Sequence, residues 1–215
     1  ASLVHDDMPC FDDAATRRGL PSVHAVHGPA LALLAGDALI VAAFEALARA
    51  APADPQAAAA LTLAVARAVG MPNGITAGQG WESEDDIDLT AYHRAKTGAL
   101  FVAAATCGAM AAGADPGPWR AVGARLGEAY QVADDLADAL GGAGDAGKPC
   151  GQDSAHARPN AVAALGAAGA VEKLQSLIGQ AVAAIPDCPG AGELRELVLV
   201  QARRLAPKSL DRSVA

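Results

Sequence analysis

The segment QVADDLAD carries four polar side chains at helical spacing: Gln131, Asp134, Asp135 and Asp138. Its surroundings from Glu128 to Leu140 contain no Gly or Pro, so the segment is predicted to lie inside a helix. Residues three and four positions apart share a helix face, which places these side chains along one stripe. Carboxylates so close together repel each other unless a cation neutralises them, and oxygen ligands without thiolate or imidazole suit Mg²⁺ best. A solvated acidic helix face is the alternative interpretation.

A second acidic cluster, Asp6, Asp7 and Asp12, lies near the start of the sequence. On an unbroken helix Asp6 and Asp12 would point about 120° apart, because each residue turns the chain by about 100°. Pro9 disfavours the helical conformation of Met8, so the helix is predicted to end there and the chain to fold back. Asp12 would then rejoin Asp6 at one ion.

Two acidic clusters of this kind suggest a substrate that carries a diphosphate. Mg²⁺ keeps several of its waters and is usually held by one or two carboxylates together with substrate phosphates. The paired arginines Arg17 and Arg18 follow the first cluster, and a guanidinium group binds phosphate through two parallel hydrogen bonds. The residues therefore predict Mg²⁺-dependent chemistry on a diphosphate.

These motifs resemble those of the trans-prenyl diphosphate synthases, the polyprenyl synthetase family. DDMPCFD followed by ATRRG is similar to the family's first aspartate-rich motif, and YQVADDLAD followed by GKPCGQD is similar to its second. The resemblance extends from Leu3 to about Pro207. It implies an all-α bundle of helices around a central cavity that condenses isopentenyl diphosphate with an allylic diphosphate (dimethylallyl, geranyl or farnesyl). It also implies a cytoplasmic homodimer that binds three Mg²⁺ ions when substrate is present.

The resemblance assigns roles to individual residues. As metal ligands it implies Asp6, Asp12 and Asp134, with Asp7 and Asp138 as further ligands or as their support. Around the two diphosphates it implies Arg17, Arg18, Lys96, Thr97, Gln131, Lys148 and Arg158. The catalytic set comprises Asp6, Asp12, Lys96, Gln131 and Asp134. Lys96 and Thr97 coincide with the family's KT pair, which contacts the allylic diphosphate.

The loop GKPCGQD resembles the family's GKxxGxD segment, in which Lys148 would reach the diphosphate. Gln152 stands where a lysine is common, and Arg158-Pro159-Asn160 replaces a KxTYP-like segment. Arg158 keeps a cation at this point. We therefore expect weaker or different phosphate contacts rather than their loss.

Product length is predicted from the residues about one helical turn before Asp6, which point down the channel for the growing chain. These residues, Ala1 and Ser2, are both small, so no aromatic side chain closes the channel there. Small residues combined with the two-residue insertion Pro9-Cys10 resemble the geranylgeranyl type found in carotenoid and bacteriochlorophyll pathways. A C20 product is therefore expected, with the C15 product of a farnesyl diphosphate synthase as the alternative.

The amino-acid composition limits the possible fold classes and binding partners. The 215 residues are 52% apolar, which is enough for one sizeable domain, predicted over 1–215. Aromatic residues make up only 3% while Ala, the best helix former, dominates, so an all-α fold is predicted. A net charge of −8 argues against a nucleic-acid surface. Four scattered cysteines without CxxC spacing argue against a zinc site and are typical of a reduced cytosolic protein.

Several helices must hold the chemical groups in place. The two that carry them are predicted over Leu89 to Gly113, with Lys96 and Thr97 near its start, and from about Pro118 to Leu140. Further helices are predicted over Gln56 to Val69, Asn160 to Leu165, Ala170 to Ile185 and Gly192 to Leu205.

The apolar run from Ala30 to Ala50 is predicted to be a helix buried on all sides. Asp37 and Glu45 interrupt it, so no membrane span is expected. The acidic run from Glu82 to Asp86 is predicted to be a solvated turn before the next helix. In the resembled family, helices before this point of the chain carry a GKxxR-type motif that nothing here matches, so those N-terminal helices are expected to be missing.

Two other functions compete with a prenyltransferase. A class I terpene cyclase shares an acidic motif and the ionisation step, but a second DDxxD stands here in place of the cyclases' asparagine-serine-glutamate metal site. Aromatic residues that would line a cyclising pocket are also scarce. A non-catalytic subunit of a heteromeric synthase usually lacks an aspartate motif, whereas both are intact here. The expected loss of N-terminal helices keeps that third alternative open.

Overall fold

The computed structural model of the chain describes residues 1–50, 53–84, 88–140 and 160–205, and these are mostly helical. The predicted all-α fold is confirmed. The chain divides into two compact units, the first over Ala1–Thr62 and the second over Leu63–Leu140 together with residues 160–205. Each unit carries one of the two aspartate clusters. The expectation of a single domain stays a prediction.

The first unit begins with helix α1 (Ser2–Asp6), strands β1 (Thr16–Arg17) and β2 (Leu20–Pro21), and helices α2 (Val23–His27) and α3 (Pro29–Ala50). Helix α4 (Pro55–Val69) follows. The second unit continues with α5 (Ile75–Trp81), α6 (Leu89–His93), a π-helical turn (Arg94–Gly98), α7 (Ala99–Ala111), α8 (Trp119–Leu140), α9 (Ala161–Ala183) and α10 (Ala191–Leu205).

Helix α1 is short, and contacts with α3 hold it in place. The ring of His5 occupies the space that a side chain at position 36 would need, so Gly36 is the residue that allows the two helices to meet. His5 Nε2 lies 3.1 Å from the carbonyl oxygen of Leu33 and 3.5 Å from Oδ1 of Asp37. His5 directly precedes Asp6, so these contacts fix the position of the first aspartate cluster relative to α3.

The prediction that the apolar helix is buried on all sides is wrong. In α3 only Ala32 and Gly36 are fully buried, whereas Leu31, Leu34 and Val41 are 57%, 60% and 65% exposed. One side of the helix packs against α1 and α2, and the residues on the opposite side are exposed as far as the described part of the chain is concerned. An apolar run without a polar face does not reveal how many of its faces are covered, or by which molecule.

By length and composition, α3 and α9 could each cross a membrane, a test that core helices of soluble proteins also pass. One face of helix α9 packs in the core of the second unit. Its residues Ala170, Leu174 and Leu177 form one buried cluster with Leu136 of α8.

Helix α8 is the central helix of the second unit, and glycines let α7 approach it closely. A Cβ atom at Gly123 would lie 2.6 Å from Cα of Val102, and one at Gly127 would lie 2.9 Å from Cα of Gly98. Such separations exclude any side chain. The π-helical turn is therefore pressed against α8, which brings its polar residues next to those of α8.

The predicted helices are largely confirmed, with two differences. Helix α8 has nearly the predicted bounds, but the helix expected over 89–113 ends at Ala111 and is interrupted by the π-helical turn. The two helices expected between 160 and 185 correspond to the two parts of α9, which are separated by the non-helical residue Gly166, where φ is 71°. A π-helical turn depends on packing rather than on local propensity, so the sequence pattern does not predict it.

Candidate active site

The first aspartate cluster lies where α1 ends and the chain turns back on itself. Helix α1 ends at Asp6, two residues before the predicted end at Met8. The backbone N–H of Asp12 donates to the carbonyl oxygen of Asp6 at 3.0 Å, and that of Asp13 donates to Met8 at 3.1 Å. The predicted reversal of the chain around Pro9 is confirmed, and it brings the backbone of Asp12 beside Asp6.

Arg17 binds both carboxylates at the end of α1. Its Nε donates to Oδ1 of Asp7 at 2.7 Å, and its Nη2 donates to Oδ2 of Asp6 at 3.0 Å and also to Asp7. All three side chains are at most 14% exposed. Burial lowers the pKa of Arg17, but the hydrogen bonds and charges of Asp7 and Asp6 outweigh burial and raise this pKa above its ordinary value. The guanidinium is therefore permanently charged.

Arg17 and Arg18 lie in different parts of the hairpin formed by β1 and β2. Arg17 lies in β1 opposite Leu20, whereas Arg18 and Gly19 form the turn with φ values of 54° and 77°. Two positive φ angles in succession are typical of a type I′ turn. Arg18 is exposed at the tip of this hairpin. The two arginines thus lie in different surroundings, and a diphosphate contact of Arg18 stays a prediction.

The second aspartate cluster is divided between two faces of α8. Asp134 is exposed and Asp138 is half-buried, whereas Asp135 is only 3% exposed. Asp135 accepts hydrogen bonds from Nε2 of Gln131 at 2.9 Å and from the backbone N–H of Ala161 at 2.7 Å. The prediction of a single stripe is therefore wrong for Asp135, which serves the N-terminus of α9. Asp134 and Asp138, one turn apart, remain the predicted metal ligands of this cluster.

Gln131 is fixed at both ends of its amide. Oγ1 of Thr97 donates to its Oε1 at 2.9 Å, and its Nε2 donates to Asp135. One chain of hydrogen bonds thereby links the π-helical turn, α8 and α9. The structure brings together Thr97 and Gln131, two of the residues predicted to bind diphosphate.

Lys96, the partner of Thr97 in the predicted pair, is held by Glu82. Nζ of Lys96 and the hydroxyl of Tyr92 both donate to Oε1 of Glu82, and Nε2 of Gln79 donates to its Oε2 at 2.7 Å. The side chain of Glu82 is only 15% exposed. The prediction of a solvated turn is therefore wrong for Glu82, although Glu84 is exposed. The next two acidic residues lie outside the described residues.

His93 lies in the same region, at the end of α6. Burial lowers its pKa; the charge of Asp135 acts in the opposite direction, and the charges of Lys173 and Lys96 lower the pKa further. An imidazole whose pKa lies below its ordinary value is neutral at pH 7. His93 therefore adds no positive charge to this region.

Comparison with known proteins identifies the family to which the chain belongs. The sequence model of the polyprenyl synthetase family matches residues 1–189. The chain belongs to this family. The resemblance found in the two aspartate motifs is thereby confirmed, and this polyprenyl synthetase is a prenyltransferase.

Named relatives of this polyprenyl synthetase cover nearly its whole length. It is 58% identical over 207 residues to the geranylgeranyl diphosphate synthase of Cereibacter sphaeroides, an alignment that covers 96% of this chain and 72% of the relative. It is 49% identical over 214 residues to the geranylgeranyl diphosphate synthase of Rhodobacter capsulatus, covering 99% and 74%. A solved geranyltransferase of Helicobacter pylori, complexed with magnesium and isoprenyl diphosphate, matches with a TM-score of 0.81 and 29% identity. That match covers 94% of this chain and 70% of the other.

The donor atoms of this polyprenyl synthetase fit Mg²⁺. Both clusters offer carboxylate oxygens, and Asp6 and Asp7 already share one buried positive charge, that of Arg17. Within the described part of the chain, no three His, Cys, Asp or Glu side chains are grouped so as to hold a metal by themselves. Mg²⁺ usually takes only one or two protein carboxylates and completes its shell with water and substrate phosphates.

Sequence reasoning missed two residues of this polyprenyl synthetase that contact predicted site residues, Glu82 and Tyr92, and it did not predict the hydrogen bonds of Asp135. The only local signal was the spacing of Asp135 four residues after Gln131, which places these two side chains on one face of α8. Lys148, Gln152 and Arg158 lie outside the described residues, so their predicted contacts stay predictions.

Proposed function

We propose that the chain is a Mg²⁺-dependent geranylgeranyl diphosphate synthase that condenses isopentenyl diphosphate with allylic diphosphates. Its 58% identity to the Cereibacter sphaeroides geranylgeranyl diphosphate synthase over 207 residues carries this proposal. The 49% identity to the Rhodobacter capsulatus enzyme supports the same product. Both aspartate motifs on which the chemistry depends are present in the sequence.

The proposed reaction breaks the bond between the allylic carbon and the diphosphate oxygen, which leaves an allylic cation. The alkene of isopentenyl diphosphate forms the new carbon–carbon bond, and the released diphosphate takes the proton that is lost. Asp6, Asp12 and Asp134, with Asp7 and Asp138 as further ligands or support, would hold Mg²⁺, which would supply positive charge to the departing diphosphate.

The polar residues of the second unit would bind the allylic diphosphate. Lys96 supplies a positive charge, and Gln131, held in place by Thr97 and Asp135, keeps a second Nε2–H for a phosphate oxygen; Thr97 would donate to the diphosphate by turning its hydroxyl hydrogen away from Gln131. Donors that are in place before substrate arrives need not reorganise as negative charge develops on the leaving group. The chain of bonds from Thr97 through Gln131 to Asp135 supports this role.

A product assay tests the proposed function. The purified chain, incubated with Mg²⁺, radiolabelled isopentenyl diphosphate and farnesyl diphosphate, should release a C20 diphosphate as its main product. A product that stops at C15 would indicate a farnesyl diphosphate synthase. A cyclic hydrocarbon made from the allylic substrate alone would indicate a terpene cyclase, and failure to elongate any allylic substrate would favour a non-catalytic subunit.

Replacing Ala1 with tyrosine is expected to shorten the main product from C20 to C15. Ala1 and Ser2 lie about one turn before Asp6, and a tyrosine ring there would fill the space of the last isoprene unit. Chromatography of the dephosphorylated products measures the change. Ala25→Tyr introduces the same ring at an exposed position of α2 and should still give C20. If Ala1→Tyr makes mainly C20, the channel is closed elsewhere, on the small-residue face after Thr97.

We also propose that the chain forms a homodimer through the exposed side of α3. Leu31, Leu34 and Val41 recur at three- and seven-residue intervals, and they lie opposite the buried residues of this helix. Exposed apolar surface of this extent is typical of a protein interface. In a two-fold dimer the same helix supplies both halves. Such an interface would explain the apolar character of α3 without a membrane, which supports the proposed cytoplasmic location.

Replacing Leu34 with glutamate is expected to weaken this dimer at least about 100-fold, because each protomer would bring a charge into an apolar contact. Sedimentation velocity over a range of protein concentrations measures the dissociation constant. Leu20→Glu, at a position of the hairpin that is 70% exposed, is the matched control and should leave the dimer intact. A wild-type chain that is monomeric at micromolar concentration, or a Leu34→Glu variant that dimerises normally, would contradict the proposal.

A further inference from the structure

We infer that Glu82 is a positioning residue for Lys96: its carboxylate, itself held by Tyr92 and Gln79, fixes the lysine ammonium for contact with the allylic diphosphate. The inference rests on the proposed function, in which Lys96 binds that diphosphate. Two independent observations support it. The first is the set of hydrogen bonds to the Glu82 carboxylate, and the second is the close contact between the backbones of α5 and the π-helical turn.

The carboxylate of Glu82 accepts hydrogen bonds from residues of three different elements. Gln79 belongs to α5, Tyr92 to α6 and Lys96 to the π-helical turn. Nζ of Lys96 also lies 5.9 Å from the centroid of the Tyr92 ring, within the range of a cation–π contact. Glu82 and Lys96 are only 15% and 21% exposed. A carboxylate bound in this way is a fixed acceptor rather than a mobile surface charge.

The backbone places α5 directly against the π-helical turn. A Cβ atom at Gly78 would lie 2.6 Å from Cα of Lys96, so the contact requires glycine at this position. Short π-helical segments are frequent at functional sites. Here the segment contains both Lys96 and Thr97, and it directs the first toward Glu82 and the second toward Gln131. The packing of α5 against the π-helical turn therefore orients the side chains of Lys96 and Thr97.

Several properties indicate positioning rather than inhibition of Lys96. Lysine has a long flexible side chain, and fixing it before substrate binds removes part of the entropy that binding would otherwise lose. An ammonium group carries three N–H donors, so a hydrogen bond to Glu82 is compatible with bonds to phosphate oxygens. The hydrogen bonds from Tyr92 and Gln79 keep the carboxylate in place when Lys96 meets the diphosphate.

The substitution Glu82→Gln tests the inference, because it keeps the size of the side chain and an acceptor oxygen but removes the charge. We expect about a tenfold rise in the KM for farnesyl diphosphate and about a tenfold fall in kcat, while the KM for isopentenyl diphosphate stays within about twofold. Glu84→Gln removes the same charge from an exposed position nearby and should behave like wild type. Unchanged kinetics of Glu82→Gln, or equal rises in both KM values, would overturn the inference.

A double-mutant cycle with Lys96→Met shows whether Glu82 acts through the lysine. In the Lys96→Met background, adding Glu82→Gln should change the farnesyl diphosphate KM and kcat by less than about twofold, because the group that Glu82 positions is already gone. Losses that multiply in the double variant would show that Glu82 acts independently of Lys96, and the inference would be wrong.

A binding measurement separates this inference from the proposed function. Farnesyl thiodiphosphate, an unreactive allylic analogue, is titrated calorimetrically into each variant in the presence of Mg²⁺. If Lys96→Met leaves its affinity unchanged, the proposed role of Lys96 fails. If Lys96→Met weakens binding and Glu82→Gln does not, only the role of Glu82 fails. Should Glu82→Gln not fold, Tyr92→Phe removes one bond to the same carboxylate and should raise the farnesyl diphosphate KM about threefold, with no rise counting against the inference.

Discussion

Replacing Asp134 with alanine is expected to reduce turnover about 1,000-fold while the protein stays folded. The side chain is exposed on α8, so its removal opens no cavity in the core. In the proposed reaction this carboxylate helps to hold positive charge beside the departing diphosphate, and loss of one such stabilising contact lowers rates by about 100- to 1,000-fold. Steady-state kinetics at saturating Mg²⁺ measure the loss, and thermal unfolding followed by circular dichroism measures stability.

Asp135→Ala is the matched comparison, because the two aspartates are adjacent in sequence and differ in surroundings. Asp135 is buried and accepts hydrogen bonds from Gln131 and from the N-terminus of α9. Its loss should lower the free energy of unfolding by about 2 kcal/mol, since it leaves buried donors without an acceptor. Asp134→Ala should leave that free energy nearly unchanged. A near-normal rate for Asp134→Ala would rule out its role as a metal ligand.

Local sequence patterns predicted the parts of the site that depend on neighbours in the chain. An uninterrupted run of good helix formers predicted α8, and Pro9 predicted the reversal that brings Asp12 back to Asp6. Both features are decided by residues within a few positions of each other. The local sequence did not predict the division of the second cluster, because Asp135 is buried by a contact with Ala161, 26 positions further along the chain, whereas Asp134 is exposed.

Contacts between distant residues escaped prediction because no pattern within one element records them. Glu82 is bound by Tyr92 and Lys96, which lie 10 and 14 positions further along the chain. Without these donors an acidic side chain after a short helix is expected to be solvated. Thr97 meets Gln131 across 34 positions, through a π-helical turn that exists only where α5 and α8 press against it.

The misjudged burial of α3 has a different physical cause. Its apolar composition predicted burial on all sides, but composition does not specify how many faces of a helix this chain itself covers. Among the residues that the structure describes, α1 and α2 contact one side of the helix and leave the other side exposed. Burial on all sides would require a further partner, which the proposed homodimer supplies.

The substitution Arg17→Lys is expected to lower kcat/KM about 100-fold and to lower the free energy of unfolding by about 2 kcal/mol. Arg17 bonds Asp6 and Asp7 at once, through two nitrogens of one rigid plane. A lysine ammonium keeps the charge but not this fork, so it cannot hold both carboxylates in the same geometry. Kinetics and thermal unfolding measure the two losses, and Arg67→Lys, at an exposed position of α4, should show neither.

The dependence of the rate on Mg²⁺ distinguishes two ways in which Arg17 could act. If the arginine keeps Asp6 and Asp7 in place for the metal, Arg17→Lys should raise the Mg²⁺ concentration needed for half-maximal rate about tenfold, because the carboxylates are no longer held ready for the ion. If the arginine binds the substrate diphosphate instead, the substrate KM should rise while the Mg²⁺ requirement stays the same. The burial of all three side chains favours the first outcome. An unchanged kcat/KM for Arg17→Lys would exclude both roles.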